Sequence, residues 1–221
     1  MTLLELDGVQ TYYGRSHVLE GVSLEVDEGE VVALVGRNGV GKTTTLRSIL
    51  RLTPPREGTV RYRGEDLDGL STHEVADRGV GWIPEDRRVF SQLTVEENLR
   101  VSVPDPADVG AALPIAYDTF PILEERRNQE AGTLSGGQQQ MLAIARGLVG
   151  SNELLLVDEP SEGLAPQIVA DVAEALVAAA SETTMLLVEQ NLALALDLAD
   201  RFYVLDNGRV DDERLRRYLS A

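Results

Sequence analysis

The first third of the chain carries hydrophobic positions that either alternate with polar ones or form short unbroken runs. Residues 3–6 alternate in part and residues 18–26 alternate more clearly, which is typical of half-buried strands. Residues 31–35 are all apolar, which favours a strand covered on both faces. A helical pattern over residues 43–52 follows and ends before two prolines. These patterns predict a strand, a glycine-containing loop and a helix in succession.

The middle of the chain, residues 84–150, changes to a mostly helical pattern. Proline lacks the amide donor that a helix interior needs, so breaks are predicted at Pro104, Pro106, Pro114 and Pro121. Thr94, followed three residues later by Glu97, predicts a capping box that opens one of these helices.

The last third alternates short apolar runs with helical stripes. Strands are predicted at residues 154–157, 184–188 and 202–205, and helices at residues 167–180 and 192–199. Residues 206–209 read Asp-Asn-Gly-Arg, which is a hairpin signal, and an arginine-rich terminal helix is predicted from residue 211. Strands that alternate with helices predict an α/β fold with a mainly parallel sheet.

Length and composition set the class of protein. With 221 residues, 43% of them hydrophobic, the chain is expected to form one domain with a sizeable core. No apolar run approaches the roughly 18–20 residues that cross a bilayer. The N-terminus lacks the basic flank and apolar core of a signal peptide, so we expect a cytoplasmic protein. The chain contains no cysteine, which excludes disulfides and thiolate chemistry.

The charge balance is strongly acidic, with a formal net charge of −17, and Lys42 is the only lysine. Such a surface repels DNA and RNA, so we expect no nucleic-acid partner. Arginine in place of lysine together with an acid excess favours a salt-adapted protein. A GC-rich genome is the alternative, and it accounts for the arginines better than for the acids.

Residues 36–43 fit the pattern G-x-x-x-x-G-K-[ST], in which backbone amides cradle phosphates. Lys42 would reach the β and γ phosphates, and the Thr43 hydroxyl would ligate Mg²⁺. A chance glycine turn is the alternative, but the predicted strand before and helix after favour a nucleoside-triphosphate site. The predicted nucleotide-binding residues are Gly36, Arg37, Asn38, Gly39, Val40, Gly41, Lys42, Thr43 and Thr44.

Two further motifs each have a functional and an ordinary interpretation. The strand at residues 154–157 leads into Asp158, which can hold Mg²⁺ through water, and Glu159, which can orient or deprotonate an attacking water. The alternative is a strand end with two solvated acids. Ser135 and two glycines stand before a helical segment, where they form either an anion-binding helix terminus or a plain N-cap.

The glycine loop, the Ser-Gly-Gly motif and the acidic strand occur here in the order found in the ATPase subunits of ABC transporters, and essentially the whole chain resembles that family. The resemblance implies a P-loop NTPase (RecA-like) fold: a mainly parallel sheet, an N-terminal antiparallel β subdomain and an inserted helical subdomain. Residues 1–221 then form a single ABC ATPase domain. Residues 1–84 and 150–221 form its nucleotide-binding core, and residues 85–149 its helical subdomain.

In that family two subunits face each other, and each ATP lies between the glycine loop of one and the Ser-Gly-Gly motif of the other. The resemblance therefore implies that the γ phosphate of a partner's nucleotide is bound by Ser135, Gly136, Gly137 and Gln138. It also implies that Tyr13 stacks on adenine, and that ATP and Mg²⁺ are the cofactors.

Three positions depart from the general family pattern. Glu85 replaces the usual glutamine, and it is expected either to contact the metal or water or to cap the link to the helical subdomain. Gln190 replaces the usual histidine; it can hydrogen-bond a γ phosphate or water, but it cannot shuttle a proton. The loop at residues 161–166 lacks the usual aspartate.

These departures sharpen the resemblance. Segments similar to the smaller ATPase of the branched-chain amino acid importers are residues 84–90, 93–99, 139–146, 163–166 and 188–191. Importers of urea and short amides share much of this pattern, and a lipid exporter ATPase or a DNA-associated ABC ATPase are the remaining alternatives. The implied partners are transmembrane permease subunits, a second ATPase subunit in a homodimer or heterodimer, and indirectly a solute-binding protein. The chain would then sit on the inner face of the cell membrane through the permease.

Overall fold

The structure of the protein is a computed structural model, which describes residues 1–211. The predicted arginine-rich terminal helix lies outside these residues. Across residues 1–211, no helix has the length and apolar character that crossing a bilayer requires.

The strands of residues 1–211 form two sheets. They are β1 (Thr2–Tyr13), β2 (Ser16–Asp27), β3 (Val31–Val35), β4 (Glu57–Tyr62), β5 (Glu65–Asp66), β6 (Val80–Ile83), β7 (Leu154–Asp158), β8 (Thr184–Glu189), β9 (Arg201–Asp206) and β10 (Arg209–Val210). The α-helices of the same residues are α1 (Lys42–Ile49), α2 (Thr72–Ala76), α3 (Val95–Arg100), α4 (Val109–Thr119), α5 (Pro121–Glu125), α6 (Gly136–Leu148), α7 (Pro166–Ala180) and α8 (Leu192–Leu198).

The larger sheet has six strands in the order β10-β9-β3-β8-β7-β6, and all neighbours are parallel except the β9–β10 hairpin. Every residue of β3, β7 and β8 is buried. The predicted mainly parallel sheet and the burial of its central strands on both faces are thus confirmed. Since the carboxyl ends of parallel strands meet at one edge, the loops after β3, β7 and β8 lie side by side.

The smaller sheet is antiparallel, with the order β2-β1-β4-β5. Its first two strands have 12 residues each, longer than the predicted ones. Their pairing shifts register at several points, including between Leu6 and Val9, so a simple alternation does not mark their full length. The sheet confirms the antiparallel N-terminal part that the resemblance implies.

Two hydrophobic clusters divide the core. One lies between the two sheets and α1, and includes the fully buried Leu4, Leu34 and Leu46. The other joins the far face of the parallel sheet to helices α3 to α7, and includes Leu99 and Leu142. The helical segment between β6 and β7 therefore shares its apolar contacts with the sheet that carries the acidic strand.

Local signals in the sequence are confirmed at two turns. Thr94 Oγ1 accepts the Glu97 N–H at 3.2 Å, and Glu97 Oε2 accepts the Thr94 N–H at 2.8 Å, which completes the capping box before α3. Asn207 and Gly208 both have left-handed backbone (φ 47° and 75°), as a tight two-residue hairpin requires.

The predicted break at Pro114 is wrong, and the one at Pro121 is confirmed. Pro114 lies inside α4, whereas α4 ends at Thr119 and α5 begins at Pro121. Pro114 removes the amide that would bond the carbonyl of Gly110, but Gly110 is exposed, so water can satisfy that carbonyl. Pro121 occupies the first helical position, where the missing amide has no intrahelical partner.

Candidate active site at the carboxyl edge of the parallel sheet

The glycine loop connects β3 to the N-terminus of α1. A Cβ on Gly36 would lie 2.5 Å from the carbonyl oxygen of Leu205, so only glycine fits against β9 at this point. Gly41 has φ 116°, a conformation that favours glycine. The first turn of α1 has no acidic residue and no side-chain cap, so its backbone amides and positive dipole end face the loop.

Lys42 is brought directly onto Glu159. Its Nζ lies 3.0 Å from Glu159 Oε1, and it donates to the carbonyl oxygens of Gly36 at 2.8 Å and Arg37 at 3.0 Å. Lys42 is 3% exposed and Glu159 is 8% exposed, so water screens this ion pair little. An ammonium has three donors, and these three acceptors use all of them. A phosphate at this position would therefore have to replace at least one of them.

Thr43 and Asp158 are also brought together: the Thr43 hydroxyl donates to Asp158 Oδ1 at 3.0 Å. The pKa of Asp158 is raised to about 6, mainly by burial and also by the negative charges of Glu85 and Glu159, while the bond from Thr43 and the charge of Lys42 oppose the shift. A carboxylate held in this way is stabilised by a nearby cation.

The oxygen donors of Thr43 and Asp158 suit a Mg²⁺ ion that takes its other ligands from phosphate and water. Among residues 1–211, no three His, Cys, Asp or Glu side chains cluster closely enough to hold a metal on their own. Mg²⁺ in nucleotide-hydrolysing enzymes is usually held by one or two protein oxygens together with substrate phosphates and water. The adjacent hydroxyl of Thr43 and carboxylate of Asp158 are such oxygens.

Glu159 adopts a left-handed backbone with φ 44°, which is uncommon for a residue with a side chain. Its own amide donates to the carbonyl of Val188 at 2.9 Å, which fixes the turn against β8. A backbone of this kind costs about 1–3 kcal/mol and is found at functional sites. Here it accompanies the contact of the Glu159 carboxylate with Lys42.

Glu162 was not predicted as a site residue. Its side chain is hydrogen-bonded to Glu159, and that bond, with burial and the charge of Glu159, raises the pKa of Glu162 to about 7. The only sequence signal was the departure of residues 161–166 from the family pattern. The structure shows that this loop folds back, since the Glu162 N–H donates to the carbonyl of Glu159 at 3.1 Å.

Gln190 and Glu85 both lie at the edge of this site. Gln190 is exposed and lines, with Asn38 and Glu159, a cavity of about 320 Å³. Glu85 is exposed as well, and its charge acts on Asp158 and Glu162, which places it on the same side of the sheet.

Tyr13 lies at the tip of the β1–β2 hairpin and is 42% exposed. The guanidinium of Arg47 lies 6.0 Å from the centre of its ring, and the Thr53 hydroxyl donates to the phenol oxygen at 3.4 Å. Because Arg47 belongs to α1, the hairpin tip is held near the helix that follows the glycine loop.

Ser135 caps α6: its Oγ accepts the Gln138 N–H at 3.3 Å, and Gln138 Oε1 accepts the Ser135 N–H at 3.1 Å. A Cβ on Gly137 would lie 3.1 Å from the side chain of Ile168 in α7. Ser135 and Gln138 line a separate cleft of about 730 Å³, which includes none of residues 36–44. Within one chain, the structure does not bring the Ser-Gly-Gly motif and the glycine loop into one cavity.

Residues 19–162 match the model of the family described as ABC transporter. The chain belongs to this family. The ABC transporter family's ATP-binding subunits hydrolyse ATP, so the chain is an ATPase.

Relatives within the ABC transporter family cover nearly the whole chain. The high-affinity branched-chain amino acid transport ATP-binding protein BraG of Pseudomonas aeruginosa is 47% identical over 211 residues, which are 94% of this chain and 91% of BraG. The probable branched-chain amino acid transport ATP-binding protein LivF of Archaeoglobus fulgidus is 37% identical over 90% of this chain and 86% of LivF. A solved structure titled as the ATP binding subunit of an ABC transporter has a TM-score of 0.84 at 33% identity, covering 99% of this chain and 93% of that one. These likenesses confirm the predicted ABC ATPase fold.

Proposed function

We propose that this chain is the ATP-hydrolysing subunit of an importer for branched-chain or related amino acids. The observation that carries the proposal is the 47% identity to BraG across 94% of the chain. The chain would act on the inner face of the membrane, bound to permease subunits, with a solute-binding protein supplying the solute from the other side. An importer of urea or short amides is the second candidate, because the same sequence segments resemble both.

In this proposal the glycine loop, residues 36–44, binds the phosphates of ATP. The amides at the start of α1 and the Lys42 ammonium supply the positive charge that the acidic surface lacks. The observed ion pair with Glu159 gives Lys42 a defined position before ATP arrives. When the phosphates take over part of its bonding, the Glu159 carboxylate gains freedom to bind water.

Mg²⁺ would be held by Thr43 and Asp158, with Glu85 as a further oxygen ligand or a contact to its water. The ion supplies positive charge beside the β and γ phosphates when it is bound. The raised pKa of Asp158 supports this assignment, because burial penalises its charged form and a cation beside the carboxylate would stabilise that form.

Glu159 would position the attacking water and accept its proton. Its left-handed backbone and its contacts to Lys42 and Glu162 hold the carboxylate at the carboxyl end of β7. Gln190 would donate to the γ phosphate or to the same water. Since a side-chain amide acts as neither an acid nor a base at neutral pH, Gln190 orients groups and the carboxylates carry the proton.

The separation of the Ser-Gly-Gly motif from the glycine loop supports a site shared by two subunits. Ser135, Gly136, Gly137 and Gln138 of one subunit would bind the γ phosphate held by the other, and Tyr13 would stack on adenine. Residues 1–84 and 150–221 then act as the nucleotide-binding core. Residues 85–149 form the helical subdomain, which presses on the permease's cytoplasmic loops.

The strongest test is uptake by reconstituted vesicles. The chain is co-expressed with the permease, ATPase and solute-binding proteins encoded by the neighbouring genes, and the complex is placed in vesicles that contain ATP. We expect leucine, isoleucine or valine to stimulate ATP hydrolysis and to accumulate inside the vesicles. Stimulation by urea or acetamide alone would replace the first candidate with the second, and outward lipid movement would overturn both.

The matched control in the same vesicles is Glu159→Gln. This variant should bind ATP as the wild type does and fail to turn it over, with a loss of at least about 100-fold. Full turnover in Glu159→Gln would remove the role assigned to that carboxylate, whatever solute is transported.

A further inference from the structure

Glu189 is a buried carboxylate that has no role in the proposed steps of ATP binding and hydrolysis. It is the last residue of β8, it is 2% exposed, and it precedes Gln190. In the sequence it is simply the acidic residue that ends an apolar strand, which gives no signal of burial or of a functional role. A carboxylate buried this deeply must be well bonded to remain charged.

Both oxygens of Glu189 accept backbone amides from loops of the site. Oε1 accepts the Ser161 N–H at 3.1 Å, and Oε2 accepts the Asn191 N–H at 2.8 Å. Ser161 begins the loop that follows Glu159, and Asn191 follows Gln190. One side chain therefore ties together the two loops that carry the proposed water-positioning groups.

The backbone of Glu189 joins a third loop. Its carbonyl accepts the Gly36 N–H at 3.3 Å, at the start of the glycine loop. Parallel pairing places Val35 opposite Glu189, so this contact continues the regular register of β3 and β8. Glu189 thus lies where three loops meet: the glycine loop, the loop that carries Glu159 and the loop that carries Gln190. It also lines the cavity of about 320 Å³ that Glu159 and Gln190 line.

The contacts need a carboxylate in particular. Two amide N–H groups from separate loops both point at this side chain, and only two acceptor oxygens satisfy both. Glutamine would keep one acceptor and turn its NH₂ group toward the other amide, which would leave a buried donor without a partner. Aspartate is one methylene shorter and would not span the same distance.

We infer that Glu189 is a positioning residue for ATP hydrolysis: it holds the Ser161 and Asn191 loops at a fixed spacing and so sets the distance between Glu159 and Gln190. The inference rests on the proposed roles of Glu159 and Gln190. The inference also fits the presence of Gln190 in place of the usual histidine of the family. An amide that cannot carry a proton must act through its position, and Glu189 fixes that position from the next residue.

The test is Glu189→Gln in the full chain, with kcat, equilibrium ATP affinity and thermal unfolding measured together. We expect kcat to fall about tenfold or more, while ATP affinity stays within about twofold, since the glycine loop is unchanged. The control is Glu182→Gln, the same chemical change at an exposed position between α7 and β8. It should leave kcat and affinity as in the wild type.

An unchanged kcat in Glu189→Gln would overturn the inference, and so would an equal loss of kcat and ATP affinity in a variant that folds and melts like the wild type. If Glu189→Gln does not fold, amide hydrogen exchange of the wild type decides. Slow exchange at Ser161 and Asn191 supports the tether, and exchange at the rate of open loops refutes it. Failure of the proposed function would give a different result, because ATP turnover by the wild type and its loss in Glu159→Gln are measured without any change at Glu189.

Discussion

At the residue scale, the site is built from opposite charges held close together in a protein that otherwise carries a large acid excess. Lys42 neutralises Glu159, and the hydroxyl of the next residue, Thr43, donates to Asp158. The net charge of −17 repels an anionic nucleotide, so its capture depends on this one ammonium and on backbone amides. The choice of lysine fits that task, because a compact ammonium reaches phosphate oxygens that a planar guanidinium would crowd.

The first prediction concerns stability without nucleotide. Lys42→Ala removes the partner of the buried Glu159 carboxylate, so the variant should lose about 3 kcal/mol of unfolding free energy as well as ATP affinity. Denaturant unfolding of the wild type, Lys42→Ala and the double variant Lys42→Ala/Glu159→Gln measures this. The double variant should recover much of the loss, because it removes the unpaired charge. Equal stability of all three proteins would show that the pair contributes nothing.

The second prediction uses the raised pKa of Asp158. Its ordinary pKa is 3.8 and its pKa in the folded protein is about 6. Between these values the folded state holds more protons than the unfolded state, so Asp158 makes stability fall as pH rises through this window. Asp158→Asn removes that contribution. Without Mg²⁺ and nucleotide, the variant should melt at a higher temperature than the wild type at pH 7, with a smaller difference at pH 4, and Mg²⁺-dependent hydrolysis should be lost.

A melting temperature of Asp158→Asn that stays below the wild type at pH 7 would contradict this sign. The control is Asp171→Asn, the same change at an exposed position of α7, which should melt like the wild type at both pH values. Stability gained at the cost of activity is the pattern expected where a site holds strained or unpaired charge.

At the element scale, the strands that could be predicted are those buried on both faces. The runs at β3, β7 and β8 are continuous and apolar, so their position and the loops after them followed from the sequence. The irregular pairing of β1 and β2 hides their length, and the proline in α4 is tolerated because the affected carbonyl faces water. Glu162 and Glu189 could not be predicted, because their importance comes from which loops the sheet places side by side.

The third prediction concerns the contact between α6 and α7. A Cβ on Gly137 would press on Ile168 at 3.1 Å, and that neighbour is a flexible side chain that can shift. Gly137→Ala should therefore fold with a cost of less than about 1 kcal/mol and displace the start of α6 slightly. We expect ATP turnover to fall several-fold while the isolated subunit binds ATP normally.

The double variant Gly137→Ala/Ile168→Ala distinguishes two causes of that loss. If the methyl group acts by pushing α6 away from α7, the smaller partner should restore turnover. If turnover remains low, the methyl group acts on the nucleotide of the facing subunit, and the α6–α7 contact plays no part.

At the scale of the whole molecule, the surface and the site make opposite demands on charge. Several of the ion pairs within residues 1–211 are exposed, and 37 acidic residues in the chain stand against 20 basic ones, so the surface carries a net negative charge that repels itself. Exposed ion pairs contribute little to stability, and self-repulsion of a strongly charged protein destabilises the compact state. Screening by salt relieves that repulsion, because the Debye length falls from about 10 Å at 0.1 M to about 3 Å at 1 M.

The fourth prediction follows from this balance and tests salt adaptation against a merely arginine-rich genome. The melting temperature should rise as KCl increases from 0.1 to 1 M, and most of the rise should occur below about 0.5 M, where screening changes most. A variant in which the exposed Glu28, Glu125 and Glu182 become glutamine should melt higher at low salt and gain less from KCl. If the acid excess has no adaptive role, both proteins should melt at the same temperature at every KCl concentration. ATP affinity should rise over the same range, because the screened surface repels the nucleotide less, while salt screens the buried Lys42 less than it screens the surface charges.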